Sequence, residues 1–421
     1  MTASYLHGVE VIELSTPSGT ITTSSTSVIG LIGTAQFADP AVFPPDTPVL
    51  LTSGTGAMAQ ALTKTAPPNP AAGAIGSLPQ AVSDIFAICK TPVVVVRVDQ
   101  DITDTGATLL TSQMAAIIGN QAAGSGAYAL LSAQSVLGVT PKILIAPGYT
   151  SQVPALATIN PVVTALEAIA AKLRAIVVVD GLNDTTTLMV TMGGLIGDQR
   201  VYPVDPWPMI LNSAGAIVEN PPSAMVAGVI ANSDKANGYW WSPSNQPIPG
   251  VIGLSRPVSF STSDATADSN LLNAAGVATI VNSGGYRLWG NRTGDPNTAW
   301  QFLSVRRTFD VIEDAVEASY QWALDRPFSA GLLTTIEANL NAFLRSLKAK
   351  GAIIDGKCWL DPDLNTAQSL AAGEFYVDFD AEPAAPLDRL TFQAQRNAGY
   401  YAELLSQVAS ASGSSSTTTT S

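Results

Sequence analysis

The sequence predicts a mixed α/β (α+β) protein of several domains with extended arms at both chain ends. Two observations lead there. The middle of the chain reads as strand, helix and strand in an order that requires a parallel pair. Both ends read as β-strands with no partner nearby in sequence.

Taken in order, Gly8-Val9-Glu10-Val11-Ile12-Glu13-Leu14 is rich in β-branched residues. Val9, Val11, Ile12 and Leu14 put apolar groups on both faces of this run. Ser15-Thr16-Pro17-Ser18-Gly19 then breaks the chain before a second strand can fold back. Short strands are predicted at 27–34 and 49–52. A surface loop over 64–77 follows, then a helix over 78–89 and a buried strand over Val93–Val98.

From 99 to 280 the pattern is α/β: a strand at 142–148, a helix at 162–173 and a strand at 174–180 make a βαβ unit. A strand at 201–205, a helix at 222–235 and a loop at 238–249 complete this region, which is expected to be a domain of its own. Strands at 277–281 and 286–289 lead to two amphipathic helices. In the first, Phe309, Ile312, Val316 and Tyr320 are spaced 3, 4 and 4; in the second, Leu333, Ile336, Leu340, Phe343 and Leu347 are spaced 3, 4, 3 and 4. Pro327 breaks the chain between them.

Near the C-terminus, Phe375, Val377 and Phe379 alternate with Glu374, Tyr376, Asp378 and Asp380, and Leu390, Phe392 and Ala394 alternate with polar residues over 389–395. The expectation is an antiparallel ribbon of these two runs joined by a Pro-rich connector. A two-stranded ribbon is marginal alone and has two open edges. Lone strands plus an open ribbon point to a protein that completes its sheets with other copies of itself. The tail at 410–421 is Ser/Thr-rich and is expected to be disordered.

The composition agrees. With 421 residues there is room for two or three domains with real cores. Only 13 % of residues are charged and the mean hydropathy is +0.25, which suits a surface covered by neighbours. A net charge of −13 argues against a nucleic-acid groove and against anionic membrane surfaces. No apolar run approaches the ~20 residues of a membrane helix, and Met1-Thr2-Ala3-Ser4-Tyr5 lacks the features of a signal peptide. Cys89 and Cys358 are too few for a disulfide framework or zinc site, so a reducing cytoplasm is expected. The sequon Asn291-Arg292-Thr293 carries no meaning without secretion.

Catalytic motifs fail on inspection. Gly351-Ala352-Ile353-Ile354-Asp355-Gly356-Lys357-Cys358 nearly matches a phosphate-cradling loop, but Cys358 replaces the required hydroxyl and the segment follows a helix. A turn at the helix end, with Gly351 near the C-cap, is the simpler reading. Ser53-Gly54-Thr55-Gly56-Ala57 lacks the third glycine of a dinucleotide site. The single histidine, His7, lies in the N-terminal arm, which removes Ser-His-Asp catalysis. Asp361-Pro362-Asp363 fits a tight turn better than a metal site. No catalytic, metal-binding or cofactor-binding residue is assigned. The alternative function is a nucleotide-binding α/β enzyme using the 351–357 loop.

Six stretches in order resemble the sheath proteins of contractile phage tails, the P2-like group, with contractile bacteriocin sheaths as relatives. They are Tyr5-Leu6-His7-Gly8-Val9-Glu10-Val11; Ser27-Val28-Ile29-Gly30-Leu31-Ile32-Gly33-Thr34-Ala35; Gly138-Val139-Thr140-Pro141-Lys142-Ile143-Leu144; Leu271-Leu272-Asn273-Ala274-Ala275-Gly276-Val277; Leu288-Trp289-Gly290-Asn291-Arg292-Thr293; and the run from Cys358-Trp359 through Gly373 to Leu390-Thr391-Phe392. The 64–77 loop and the Ser/Thr tail depart from the family pattern.

The resemblance implies a non-enzymatic protomer that polymerises as stacked, hexameric rings around a tail tube, with a baseplate and a tail terminator at the two ends. It implies a virion-tail protein assembled in the bacterial host cytoplasm, whose contraction drives the tube through a target envelope. Arm strands of neighbours would join each ribbon, through Val9, Val11, Ile12, Leu14, Phe375, Val377, Phe379, Leu390, Phe392, Tyr400 and Tyr401. The implied domains are an N-terminal arm (1–20), an inner domain (21–98 and 281–395), an outer α/β insertion (99–280), a C-terminal arm (396–409) and a disordered tail (410–421). A helix of the inner domain would face the tube. The 329–350 segment has Glu337 as its only acid against Arg345, Lys348 and Lys350, so it carries +2 and is the expected contact; its rival, 306–324, carries −2.

Overall fold

The computed structural model describes residues 21, 23, 25–67, 75–99, 106–153, 158–212, 215–296 and 299–413. The expected N-terminal strand, with Val9, Val11, Ile12 and Leu14, lies outside them, as do 68–74 of the expected surface loop and 414–421 of the tail. The chain divides into two compact units, 1–386 and 387–421.

Strand β1 (Ile29–Thr34) sits inside a six-stranded sheet with β2 (Pro48–Leu51), β3 (Val93–Val98), β4 (Ile143–Ile145), β5 (Ile176–Asp180) and β6 (Val201–Val204), in the order β2-β3-β1-β4-β5-β6. All pairings are parallel except the antiparallel edge strand β2. These strands read as continuous apolar runs because both sheet faces are covered. Ile29, Leu31, Val93, Val95, Ile143, Ile145, Ile176 and Val178 pack on one face with helix Leu78–Ile88 (α1) and with helix Pro222–Asn237, which is buried through Ala231. Ile32, Val94, Val96, Leu144, Val177 and Val179 pack on the other with Gly106–Ile118 (α2) and Pro161–Leu173 (α3). Helix Pro222–Asn237 is α4.

The expected division at 98/99 therefore needs correction. Strands from 29–98 and from 143–204 share one sheet, because β1 pairs with β3 on one side and β4 on the other. A parallel neighbour can come from far along the chain, and apolar runs do not report which one it is. A small sheet of β7 (Pro208–Leu211), β8 (Ile217–Glu219) and β9 (Val251–Leu254), in the order β8-β7-β9, and the hairpin of β10 (Thr279–Asn282) and β11 (Tyr286–Trp289) complete this body.

A separate apolar core lies in the last part of unit one. Helices Leu303–Ser319 (α5) and Ala330–Lys350 (α6) pack Ile312, Ala315, Leu340, Phe343, Leu344 and Leu347 together. Ile21 joins this core from the N-terminal side. Of the helical stripes read from the sequence, Ile312, Leu340, Phe343 and Leu347 are buried, and Phe309, Val316, Tyr320, Leu333 and Ile336 are half-buried. Ser329 caps α6 by accepting from the Leu332 amide, and Gly351 ends it at φ 75°, a left-handed conformation that favours glycine.

Candidate functional site

Two features stand out: a short antiparallel ribbon, and the helix that binds its support to the α/β body. The ribbon pairs β12 (Ile353–Leu360) with β13 (Val377–Pro383), from Ile353 opposite Pro383 to Leu360 opposite Val377. No third strand joins it among the described residues. An antiparallel pair of this length has an outer row of amides and carbonyls on each side; on β12 the Cys358 amide donates to Asn341 Oδ1 of α6, the Cys358 carbonyl accepts from Asn341 Nδ2, and the Gly356 amide donates to Asp355.

Its inner face is set by period-two alternation. Val377, Phe379 and Ala381 pack with Cys358 on the helical core, and Phe379 stacks on Phe309 of α5 with ring centroids 6.3 Å apart. Burial pushes the Cys358 thiol up to about 11, with Glu337 and Asp378 adding to it, so it is a poor nucleophile. The intervening positions Asp378, Asp380 and Glu382 of β13, with Asp355 and Lys357 of β12, give the opposite set a formal charge of −3. Lys357 lies 5.2 Å from the Trp359 ring centroid.

The ribbon differs from the one expected. The partner of β13 is β12, not 389–395, and β13 starts at Val377, so Phe375 precedes it and makes an edge contact with Phe328 instead. Residues 389–395 belong to no strand or helix in the described structure. The signal for β12 is masked by Asp355-Gly356, which reads as a turn; it follows directly on the register shift that leaves Ile354 without a partner between Ile353 and Asp355. This also explains the near-match to a phosphate loop. Gly351 closes a helix and the following residues enter a strand, the reverse of the strand-to-helix order such a loop needs. Likewise Asp361 accepts from the amides of Asp363 and Leu364, a tight Asx turn.

Helix α5 has a second, charged face. Arg306, Arg307, Asp310, Glu313, Asp314 and Glu317 recur at helical spacing, and all six pair with charged groups, most of them on the α/β body. Asp310 accepts from both guanidinium nitrogens of Arg200 at 2.6 and 2.8 Å and from Arg306 at 2.9 Å. Arg307 pairs with Asp234 of α4. Asp314 pairs with Lys142, and Arg174 reaches Glu313, Asp314 and Glu317. Arg306 also lies 4.3 Å from the centroid of Trp300, whose ring meets Phe309 edge-on. A contiguous path therefore runs from Phe379 in the ribbon through α5 to Arg200 at the sheet.

The cations of α6 are arranged differently. Lys348 pairs with Asp355 of β12 at 2.7 Å, and its ammonium holds the Asp355 carboxyl below the usual range. Arg345 and Lys350 are exposed.

The second unit carries the C-terminal residues. Leu387 is 77 % exposed, Leu390 63 % and Phe392 85 %. A helix, Tyr400–Gly413 (α7), follows, with Tyr400, Tyr401, Leu404, Leu405 and Val408 all exposed along one stripe. The expected boundary at 409/410 is overturned by this helix, in which Ser410 and Ser412 donate to the carbonyls of Ser406 and Val408 and so fit a helical turn. Tyr400 and Tyr401 are thus helical, not strand residues.

Comparison with known proteins decides the family. Residues 121–294 match the phage tail sheath protein central domain and residues 295–396 the phage tail sheath C-terminal domain. A prophage major tail sheath protein of Pseudomonas aeruginosa is 36 % identical over 406 residues, covering 96 % of this chain and 99 % of that one. The chain belongs to the phage tail sheath family. The tail sheath protein of Escherichia phage P2 is 32 % identical over 412 residues, covering 96 % and 99 %. The sheath fold extends further. A chain of the contracted anti-feeding prophage baseplate superposes with a TM-score of 0.70 at 18 % identity, covering 94 % of this sheath chain and all of that one. A chain of the contracted sheath complex of an extracellular contractile injection system gives 0.65 at 17 %, covering 95 % and 100 %. Family membership supports a structural sheath subunit, a tail component, over the nucleotide-binding enzyme. The sheath C-terminal domain match runs through 389–395, so the unpaired segment is part of that family domain.

Proposed function

We propose that this sheath subunit polymerises by strand exchange into stacked, hexameric rings around a tail tube, and that contraction of the polymer drives the tube through a target envelope. The observation that carries this reading is a ribbon that no third strand joins among the described residues, in the same chain as an alternating segment outside any strand, 389–395, with Leu390 and Phe392 exposed. Added to a ribbon edge of another copy, Leu390, Phe392 and Ala394 extend the inner apolar set of Val377, Phe379 and Ala381. Arg389, Thr391, Gln393 and Gln395 then fall beside the acidic set, where Arg389 meets charge of opposite sign. The N-terminal strand of Val9, Val11, Ile12 and Leu14 takes the second edge. Each strand contributes several backbone hydrogen bonds at about 0.5–1.5 kcal/mol net apiece, and repetition over a lattice makes weak joints firm. In this reading Phe375, Val377 and Phe379 fasten the ribbon to its helices, and Tyr400 and Tyr401 dock with α7 on a neighbour. The assembly forms in the bacterial cytoplasm between a baseplate and a tail terminator.

Helix α6 is the tube-facing element. The charged face of α5 is spent on the α/β body, whereas Arg345 and Lys350 are exposed, and Lys348 steadies α6 against β12. Purified subunit is expected to form hollow tubes of regular diameter in negative stain and to show no thermal shift with nucleotides. Changing Arg345, Lys348 and Lys350 all to Glu is expected to lower co-assembly with purified tail tube about tenfold or more at low salt. Unchanged tube binding by that variant would move the contact elsewhere.

A further inference from the structure

We infer that Arg307 and Asp234 act as positioning residues for the N-terminal arm, by clamping the chain at Thr26; this rests on the strand-exchange reading above. The two side chains are 6 % and 3 % exposed and form a two-pronged pair, Arg307 Nη1 to Asp234 Oδ1 at 2.7 Å and Nη2 to Oδ2 at 2.5 Å. Thr26 engages both partners. Its hydroxyl donates to Asp234 Oδ2 at 2.8 Å, and its carbonyl accepts from Arg307 Nη2 at 3.2 Å. Only a guanidinium supplies two parallel donors to a carboxylate and still reaches a third acceptor in its plane.

A pair serving merely to join α4 to α5 would not need the incoming chain. Here the chain is gripped through side chain and backbone alike, and again five residues earlier, where Ile21 joins the apolar core to which α5 contributes Ile312 and Ala315. Beyond Thr26 the chain passes at once into the middle of the sheet: the Ser27 carbonyl accepts from Thr91, and the Ile29 amide donates to the Pro92 carbonyl at the start of β1. Tension on an arm held by another subunit would otherwise reach β1 directly. The clamp diverts it into α4 and α5, and α5 is tied to the sheet through Asp310 and to the ribbon through Phe309. The arm that leaves a subunit and the ribbon that receives arms are thereby referenced to one helix.

The test uses full-length Thr26→Val, which keeps the Arg307–Asp234 pair and removes the hydroxyl, with Thr26→Ser as the rescue. Hydrogen exchange of unassembled subunits is expected to speed up about tenfold or more at residues 21–28 in the Val variant, with β3 and β5 unchanged and wild-type rates restored by Ser. Tubes formed by the Val variant are expected to be several-fold shorter or fewer, again restored by Ser. Unchanged exchange at 21–28 overturns the clamp. Faster exchange with tubes equal to wild type overturns its positioning role. If wild type itself forms no tubes, the strand-exchange reading fails, and with it the positioning role, whereas the exchange rates still decide whether Thr26 is clamped.

Discussion

Replacing both Leu390 and Phe392 by aspartate is expected to abolish tube formation while leaving the subunit's own melting temperature within about 2 °C of wild type. The two side chains are 63 % and 85 % exposed in the single chain, so the folded subunit gains little from them. In the polymer each is to be buried against another copy, at roughly 1.5–3 kcal/mol per side chain. Losing both removes about 3–6 kcal/mol per joint, on the order of 10² to 10⁴ in the affinity of one strand for its site, and the aspartates add repulsion from Asp378, Asp380 and Glu382. Differential scanning fluorimetry and negative-stain microscopy of the same preparation check both halves. A variant that assembles like the parent would remove 389–395 from the joint.

The second large effect is on stability. Asp310→Asn is expected to cost about 3–5 kcal/mol, because it leaves Arg200 and Arg306 buried without their shared carboxylate. Asp310 is 4 % exposed at the side chain, Arg200 11 % and Arg306 6 %, so water cannot take over the lost bonds cheaply. Urea unfolding followed by tryptophan fluorescence measures the loss. An unchanged midpoint would mean that α5 is held by its apolar face alone. Because Arg306 stacks on Trp300, and Trp300 meets Phe309, which in turn stacks on Phe379, the same variant should also loosen β13.

How far the sequence led follows from what each pattern reports. Continuous apolar runs at Val93–Val98 and 174–180 announced buried strands, and the 3–4 spacing of Leu340, Phe343 and Leu347 announced a buried helix face; both signals are local. The order of strands in the sheet was not legible, since β1 lies between β3 and β4 and nothing in 27–34 names those partners. The ribbon failed for a related reason. Alternation in 389–395 marks a run with one apolar side, but a period of two says nothing about which chain supplies a neighbour, and the nearest alternating run is not the partner of β13. The true partner, β12, carries a bulge at Ile354 and, directly after it, an Asp355-Gly356 dipeptide that imitates a turn. The charged face of α5 carries a net −2 in the sequence, but its role depends on which charges pair, and its partners Arg200, Asp234, Lys142 and Arg174 come from distant sequence.

The most direct measurement is a cryo-EM reconstruction of tubes assembled from the full-length chain, at a resolution that traces strands at the ribbon. Four strands are expected there, with β12 and β13 flanked by residues 389–395 of one neighbouring copy and the 8–14 segment of another. A two-stranded ribbon with both edges free inside a well-ordered tube would contradict it.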